Sequence, residues 1–524
     1  MSKKTKGAAR RRALAMASSM LALGLACQPA ELQAVDFKAK GVWISMLEMG
    51  DGGNFMRRDR EGRQQQGWGR WGEDRFEAKN RVRLQLEAVA SESLSGTVYL
   101  EMGAFTWGKA SKGGALGADG RQVKIKHAYL DWKAPDTDIK VRMGLQRIFL
   151  PDYAVEASQV FDADVAGISV GAPLGENAAM TFFWARPFND NWDGGRRGYA
   201  SYLDNADLFG LSLALTFDGI KLTPWAMGGM IGKNTFRRGA GVGGYYGRDV
   251  DSDFIYGYGL SPSVYADTGE SAYAYAAAFW AGLTGEFTGA DPFRLAWSFN
   301  YGSVATGAET LDRRGFYAAL LAEYKFDWGT PGIYGWYSSG DDDDPANGSE
   351  RMPHVGGNNE STSGLTSIAT MGTWTIGRDG VLGQTLSGTW GVGLRVKDVS
   401  FVENLKHTLH VNYYQGTNSS DMARFIKEAR VNGRYVSPNS SAPDFNTVDY
   451  GLYLTDRDRA FEVGLMSTWQ IYENLRLLVE ANYIALWLDN SRSVWGGFRY
   501  NGASYHANTT EDLWNVNVSL IYKF

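Results

Sequence analysis

Apolar residues fall on every second position through most of this chain. Over 512–524 one parity carries Trp514, Val516, Val518, Leu520, Tyr522 and Phe524. The other carries Asn515, Asn517, Ser519 and Lys523, with Ile521 as the exception. A period of two is strand geometry, because successive side chains leave a pleated backbone on opposite sides. The pattern recurs over roughly 36–48, 74–91, 94–108, 122–133, 139–149, 163–172, 178–187, 209–217 and 220–230. It continues over roughly 272–285, 292–304, 314–327, 332–339, 384–398, 406–416, 460–470, 475–488 and 512–524. About 18 strands are predicted, with 16 as the alternative.

The connections alternate, with lapses, between short and long. Short ones include 91–94, 134–138, 173–177, 218–219, 327–331 and 470–474, and long ones 49–73, 188–208, 231–271, 340–383, 417–459 and 489–511. That rhythm predicts an all-β fold, a transmembrane antiparallel up-and-down β-barrel with short periplasmic turns and long extracellular loops. The strand lengths suit a tilted bilayer crossing.

Polar positions then say what the barrel encloses. Ile139, Val141, Met143 and Leu145 oppose Lys140, Arg142, Gly144 and Gln146, and Trp390, Val392, Leu394 and Val396 oppose Gly391, Gly393, Arg395 and Lys397. An Arg or Lys facing lipid costs up to ~2–4 kcal/mol at the midplane, so these faces look inward. So many inward charges cannot be packed dry, and the lumen must hold water. A channel for passive diffusion of small hydrophilic solutes and ions is the expected function. A substrate-specific channel, or a structural or adhesive surface barrel, is the alternative.

Composition agrees where it bears on this. Gly is abundant (65), Pro scarce (13) and mean hydropathy −0.31, as lipid-facing and water-facing residues average out. The N-terminus supplies the address. Lys3, Lys4, Lys6 and Arg10 to Arg12 precede an apolar run over 13–26, and Leu32-Gln33-Ala34 offers a cleavage site. Residues 1–34 therefore read as an export signal, leaving 35–524 as one barrel domain. Cleavage there removes the one cysteine, Cys27, so disulfides and thiolate metal sites are not expected. It also removes six of the 53 basic and one of the 58 acidic residues, leaving a net charge of −10. Nucleic-acid binding finds no support in that balance.

Three stretches carry a resemblance: Val35-Asp36-Phe37-Lys38-Ala39-Lys40-Gly41, Met143-Gly144-Leu145-Gln146-Arg147, and Tyr522-Lys523-Phe524. With these the chain resembles the homotrimeric porins of Gram-negative outer membranes, and is similar to the longer ones of sulfate-reducing bacteria. The resemblance implies insertion into outer-membrane lipid by the barrel assembly machinery, which would read the row from Trp514 to Phe524 as its signal. It also implies a homotrimer, and a third loop, about 148–163, folded into the lumen. That loop carries Asp152, Glu156 and Asp162, with Asp164 just after, and has Leu150-Pro151-Asp152-Tyr153-Ala154 where the family has a Pro-Glu-Phe-Gly-Gly tip. Arg81, Arg83, Lys124, Lys126 and Arg142 share inward parity on the early strands and are expected to form the facing basic wall of the constriction. Opposed walls of this kind set up a transverse field that orients dipolar solutes.

Other signals point to little chemistry. Gly167-Ile168-Ser169-Val170-Gly171 matches a nucleophile elbow but lies inside an alternating strand, without the following helix. His407 and His410 are three apart, hence on opposite strand faces. No catalysis and no cofactor are expected. Asp341, Asp342, Asp343 and Asp344, in a long outer loop, have the oxygen density to hold a structural Ca²⁺, against the plainer reading of a solvated loop.

Overall fold

Each alternating segment is a strand, and the wall they build is closed. The computed structural model describes residues 35–50, 75–117, 120, 123–155, 157–189, 192–193, 196–197, 205–232, 275–307, 309, 312–355, 386–425, 447–448, 451–489, 491–495, 498–500, 503–505 and 512–524. The expected signal region, 1–34, lies outside them.

The wall strands are β1 (Asp36–Gly50), β2 (Arg75–Ser91), β3 (Leu94–Thr106), β4 (Val123–Lys133), β5 (Lys140–Phe149) and β6 (Asp162–Pro173). Next come β7 (Ala178–Asn189), β8 (Asn205–Phe217), β9 (Ile220–Gly232), β10 (Tyr275–Ala290), β11 (Phe293–Ala305) and β12 (Arg313–Tyr324). The circuit ends with β13 (Thr330–Ser338), β14 (Thr389–Val402), β15 (Leu405–Gly416), β16 (Arg459–Tyr472), β17 (Leu475–Trp487) and β18 (Leu513–Lys523). All pair antiparallel with their sequence neighbours, and β18 returns to β1. The count is 18, not 16.

Large apolar side chains cover the outside, among them Trp43, Leu130, Met143, Phe279, Ile333 and Leu394. A belt of that extent is solvated by lipid, and closure lets every strand satisfy its backbone without an edge. This is the architecture of a Gram-negative outer-membrane barrel.

On β18 the parity is as expected: Asn515, Asn517, Ser519 and Ile521 are buried inside, while Leu520, Tyr522 and Phe524 are exposed. Phe524 completes the closure. Its amide donates to the Gly41 carbonyl (3.0 Å), its carbonyl accepts from the Gly41 amide (2.7 Å), and its ring stacks on Tyr522. Deleting Phe524 removes both bonds, each worth about 1 kcal/mol. The deletion is expected to lower the heat-modifiable barrel recovered from outer membranes severalfold; an unchanged yield would deny the residue any part in assembly.

The interior is not uniformly polar. On β7 to β12 the inward residues include Phe183, Leu208, Trp225, Met227, Trp280 and Tyr317, all buried in one apolar cluster. They are covered from the lumen side by Leu150, Val155, Val160 and Phe161, which belong to the loop between β5 and β6. That loop shapes the candidate site.

Candidate functional site

The β5–β6 hairpin leaves the wall halfway up. Below, β5 pairs with β4 as far as Leu145 opposite Ala128, and β6 pairs with β7 as far as Gly167 opposite Ala185. Above, 146–149 and 162–165 pair only with each other among the described residues. Gly144 and Gly167 face one another where the hairpin departs. Gly144 has φ +133°, and a Cβ there would lie 2.2 Å from the Ala128 carbonyl oxygen; at Gly167 it would lie 2.3 Å from that of Trp184. Only glycine lets the backbones approach this closely while the hairpin bends. Gln146 holds the bend: its Nε2 donates to the Gly167 carbonyl (3.0 Å) and its Oε1 accepts from Ser169 (2.8 Å).

Beyond the bend the loop over 150–161 crosses the lumen to β9, β10 and β11. The Tyr153 amide donates to Thr284 Oγ1 (2.8 Å), its hydroxyl meets Thr223 (3.1 Å), and its carbonyl accepts from Arg294 (3.1 Å). Asp152 Oδ1 accepts from Ser298 (2.6 Å) and from the amides of Ala154 and Val155 (3.0 Å each). Burial pushes the Asp152 carboxyl up to about 6. The strands run to Phe149 and resume at Asp162, so the loop is shorter than the expected 148–163 and the hairpin longer.

A second segment joins it. The long loop after β13 turns inward over 349–355, where Arg351, Met352, His354 and Val355 are buried. Val355 donates its amide to the Val160 carbonyl (2.9 Å), and Trp280 Nε1 donates to the Pro353 carbonyl (2.9 Å). Leu386, at the loop's return, donates its amide to Gln159 Oε1 (2.8 Å). Two loops therefore meet inside the barrel.

The expected basic row is spread over three ion-pair groups. Arg83 bonds Glu101 (2.7 Å) with Arg81 nearby at 3.7 Å, and Arg142 grips Asp131 with two bonds. Lys126 meets Asp164 at 2.5 Å, and His127 shares that carboxylate at 2.8 Å. Lys124 is exposed, opposite Glu101 in register. The acids divide differently. Asp164 touches the basic row, Asp162 is held by Arg147 through two bonds, and Asp152 is turned into the docking contacts on the far wall. Glu156 lies outside the described residues.

A further set of lumenal charges joins Arg395 and Lys397, read as inward from the sequence, to Lys221, Glu286, Arg294 and Glu323, which do not stand out there. Lys221 on β9 bonds Glu286 on β10 (2.7 Å), which bonds Arg294 on β11 (2.9 Å), which bonds Glu323 on β12 (2.8 Å). Glu323 also takes Arg395 (3.0 Å) and Lys397 (2.8 Å) from β14. Alternating charges thus cross this sector and meet the loop backbone at Tyr153. Beside them, His410 and Asn412 both bond the buried Glu462. The signal that could have found the chain of charges is inward parity at matched heights, which requires the register.

Three of the four outer-loop aspartates have separate local partners. Asp341 is buried, accepting from Ser349 and from Tyr453 (2.8 Å). Asp342 accepts from the Asp344 amide and from Asn347, and Asp344 accepts from the Ala346 amide. Among the described residues no three His, Cys, Asp or Glu side chains converge as a metal site.

No protein-family model and no curated relative matches this chain. Solved structures do resemble it. OpdQ of Pseudomonas aeruginosa aligns at TM-score 0.49 and 11% identity, over 93% of this chain and 98% of its own. OprD of the same organism aligns at 0.48 and 11%, over 95% and 98%. A BenF-like porin from Pseudomonas fluorescens Pf-5 aligns at 0.48 and 10%, over 93% and 98%.

Proposed function

We propose that this protein is an outer-membrane porin, passing small hydrophilic solutes and ions by diffusion through a lumen narrowed by its two inward loops. The observation that carries the reading is the alternation of cations and carboxylates from Lys221 to Lys397, joined to the loop backbone through Arg294. Fixed charges of both signs replace part of an ion's hydration and orient dipolar solutes, which suits permeation. The charged side chains of this sector are tied up in mutual pairs. The protein works by geometry and field, without a reaction.

A second reading is supported by the same residues. Charges at matched heights on five strands form a track, and a track fits a substrate-specific channel as well as a general one. Assembly as a homotrimer, delivered by the barrel assembly machinery, belongs to the proposal on the resemblance noted above.

Planar-bilayer recording separates the readings. Stepwise insertion of channels, with conductance rising in proportion to salt, is the expected result. A current blocked saturably by one class of small solute would favour the specific channel. Purified folded protein that inserts without conducting would overturn both.

A further inference from the structure

We propose that the hairpin over 146–165 is a hinged gate, pivoting at the Gly144–Gly167 pair and held across the lumen by a carboxyl latch at Asp152. This rests on the channel reading for its function but not for its structure. Three features carry it. The hairpin pairs with neither β4 nor β7 among the described residues, so its swing breaks side-chain contacts but no backbone ladder to those two strands. Its pivot is a facing pair of glycines, one at φ +133°. Its tip is docked by polar contacts from Asp152 and Tyr153 to β9, β10 and β11, beside the apolar packing of Leu150, Val155, Val160 and Phe161 and the bonds of Gln159 and Val160 to the second loop. Undocking is therefore an infrequent excursion whose frequency the polar contacts tune.

At the base of the hairpin a clasp links β6 to β4, where Asp164 holds Lys126 and His127. At the tip, Asp152 is the one carboxyl in the docking contacts among the described residues, beside the Tyr153 hydroxyl and the Arg294 guanidinium. Its Oδ1 accepts three bonds, while its Oδ2 is buried without a hydrogen-bond partner among the described residues. An orphaned carboxylate oxygen is costly as an anion and cheap as a hydroxyl.

The surrounding charges do not offset this. On β9 Lys221 and on β10 Glu286 are paired to each other, and Arg294 on β11 is taken by Glu286, Glu323 and the Tyr153 carbonyl. On β12 the buried Tyr317 interacts with Asp152, and its hydroxyl is likewise without a partner among the described residues. The second inward loop brings His354 and Arg351. Burial dominates, so the docked state favours the neutral carboxyl.

The direction of the switch follows. A carboxyl raised from 3.8 to about 6 in the docked state binds its proton more tightly there than when undocked. Docking is therefore strongest below pH 4 and weakens as pH rises to 6. Each pH unit between those two values is a factor of ten, so docking is about 100-fold weaker at the alkaline limit than at the acid one. The gate opens towards neutral pH and shuts in acid.

The test uses the full mature barrel, which carries no cysteine once 1–34 is removed. Val155, on the docked loop itself, is completely buried, so Val155→Cys reports undocking through its rate of modification by a methanethiosulfonate reagent. Thiol ionisation alone raises that rate with pH. The same cysteine in an Asp152→Asn background supplies the correction, and His354 is common to both. The Asp152→Cys/Ser298→Cys pair, oxidised, locks the tip.

Between pH 4.5 and 8 the labelling rate is expected to rise beyond the corrected slope by tens of fold. Open-channel steps should grow more frequent over the same range, disappear in the oxidised lock and return on reduction. Equal corrected profiles with Asp and Asn at 152 would overturn the latch, and steps persisting in the lock would overturn the gate. A barrel that never conducts yet shows the labelling difference would reject the channel reading while keeping the hinged hairpin.

Discussion

Gly144→Val is expected to leave most of the protein unfolded or misassembled, with little heat-modifiable barrel in the outer membrane. The residue sits at φ +133°, where any β-branched side chain is strained by about 1–3 kcal/mol. The added carbon would also meet the Ala128 carbonyl oxygen at 2.2 Å, and a backbone atom cannot rotate aside. Relief requires β4 and β5 to separate, and they share only the pairs from Ala128–Leu145 to Lys133–Lys140. The combined cost should exceed about 3 kcal/mol, a large fraction of a typical folding free energy. Gly171→Ala, on β6 with open space around the new methyl group, is the control and should shift stability by less than about 0.5 kcal/mol. Denaturant midpoints of refolded protein in detergent decide between these outcomes. A Gly144→Val variant with a normal midpoint would show that the bend is not strained as described.

Arg294→Glu is expected to change ion preference more than any other single lumenal substitution. Arg294 bonds Glu286, Glu323 and the Tyr153 carbonyl together. Reversal alters the local charge by two and leaves three carboxylates in one cluster. At about 8 Å and an effective dielectric near 20, each unit charge acts on a passing ion with roughly 2 kcal/mol. Screening at physiological salt removes much of that over the same distance. A change of about tenfold in the cation-to-anion permeability ratio remains, read from the zero-current potential across a salt gradient. Arg294→Gln drops the charge and keeps a donor for Tyr153, so about half the shift in potential is expected. Equal potentials for Arg294→Glu and the parent protein would place this cluster away from the ion path.

The wall was legible in the sequence because lipid outside and water inside demand opposite side chains at every step. Trp390 to Lys397 shows that demand plainly, and so does β18. Legibility fails where the lumen is not wet. On β9 and β10 the inward Trp225, Met227 and Trp280 are as apolar as the lipid-facing side, because the hairpin loop covers them. The second inward segment reads as an ordinary outer loop, since Arg351 and His354 look solvated until the neighbours that bury them are known. The early cations were visible as a row, yet their partners Glu101, Asp131 and Asp164 come from strands whose register no local pattern gives. Gly144 and Gly167 are two glycines among 65, and nothing in composition marks them as the bend.

The pairing of β1 with β18 has a consequence for how the molecule is made. Every other strand finds its partner beside it in sequence, whereas Val42 must find Lys523. Local hairpins can form quickly, but this one contact closes almost the whole chain as a loop, and it must come last. Until then the growing sheet has two raw edges, each an invitation to pair with a stranger. Neither edge can enter hydrocarbon unpaired. On this topology insertion and closure are expected to coincide, late in assembly.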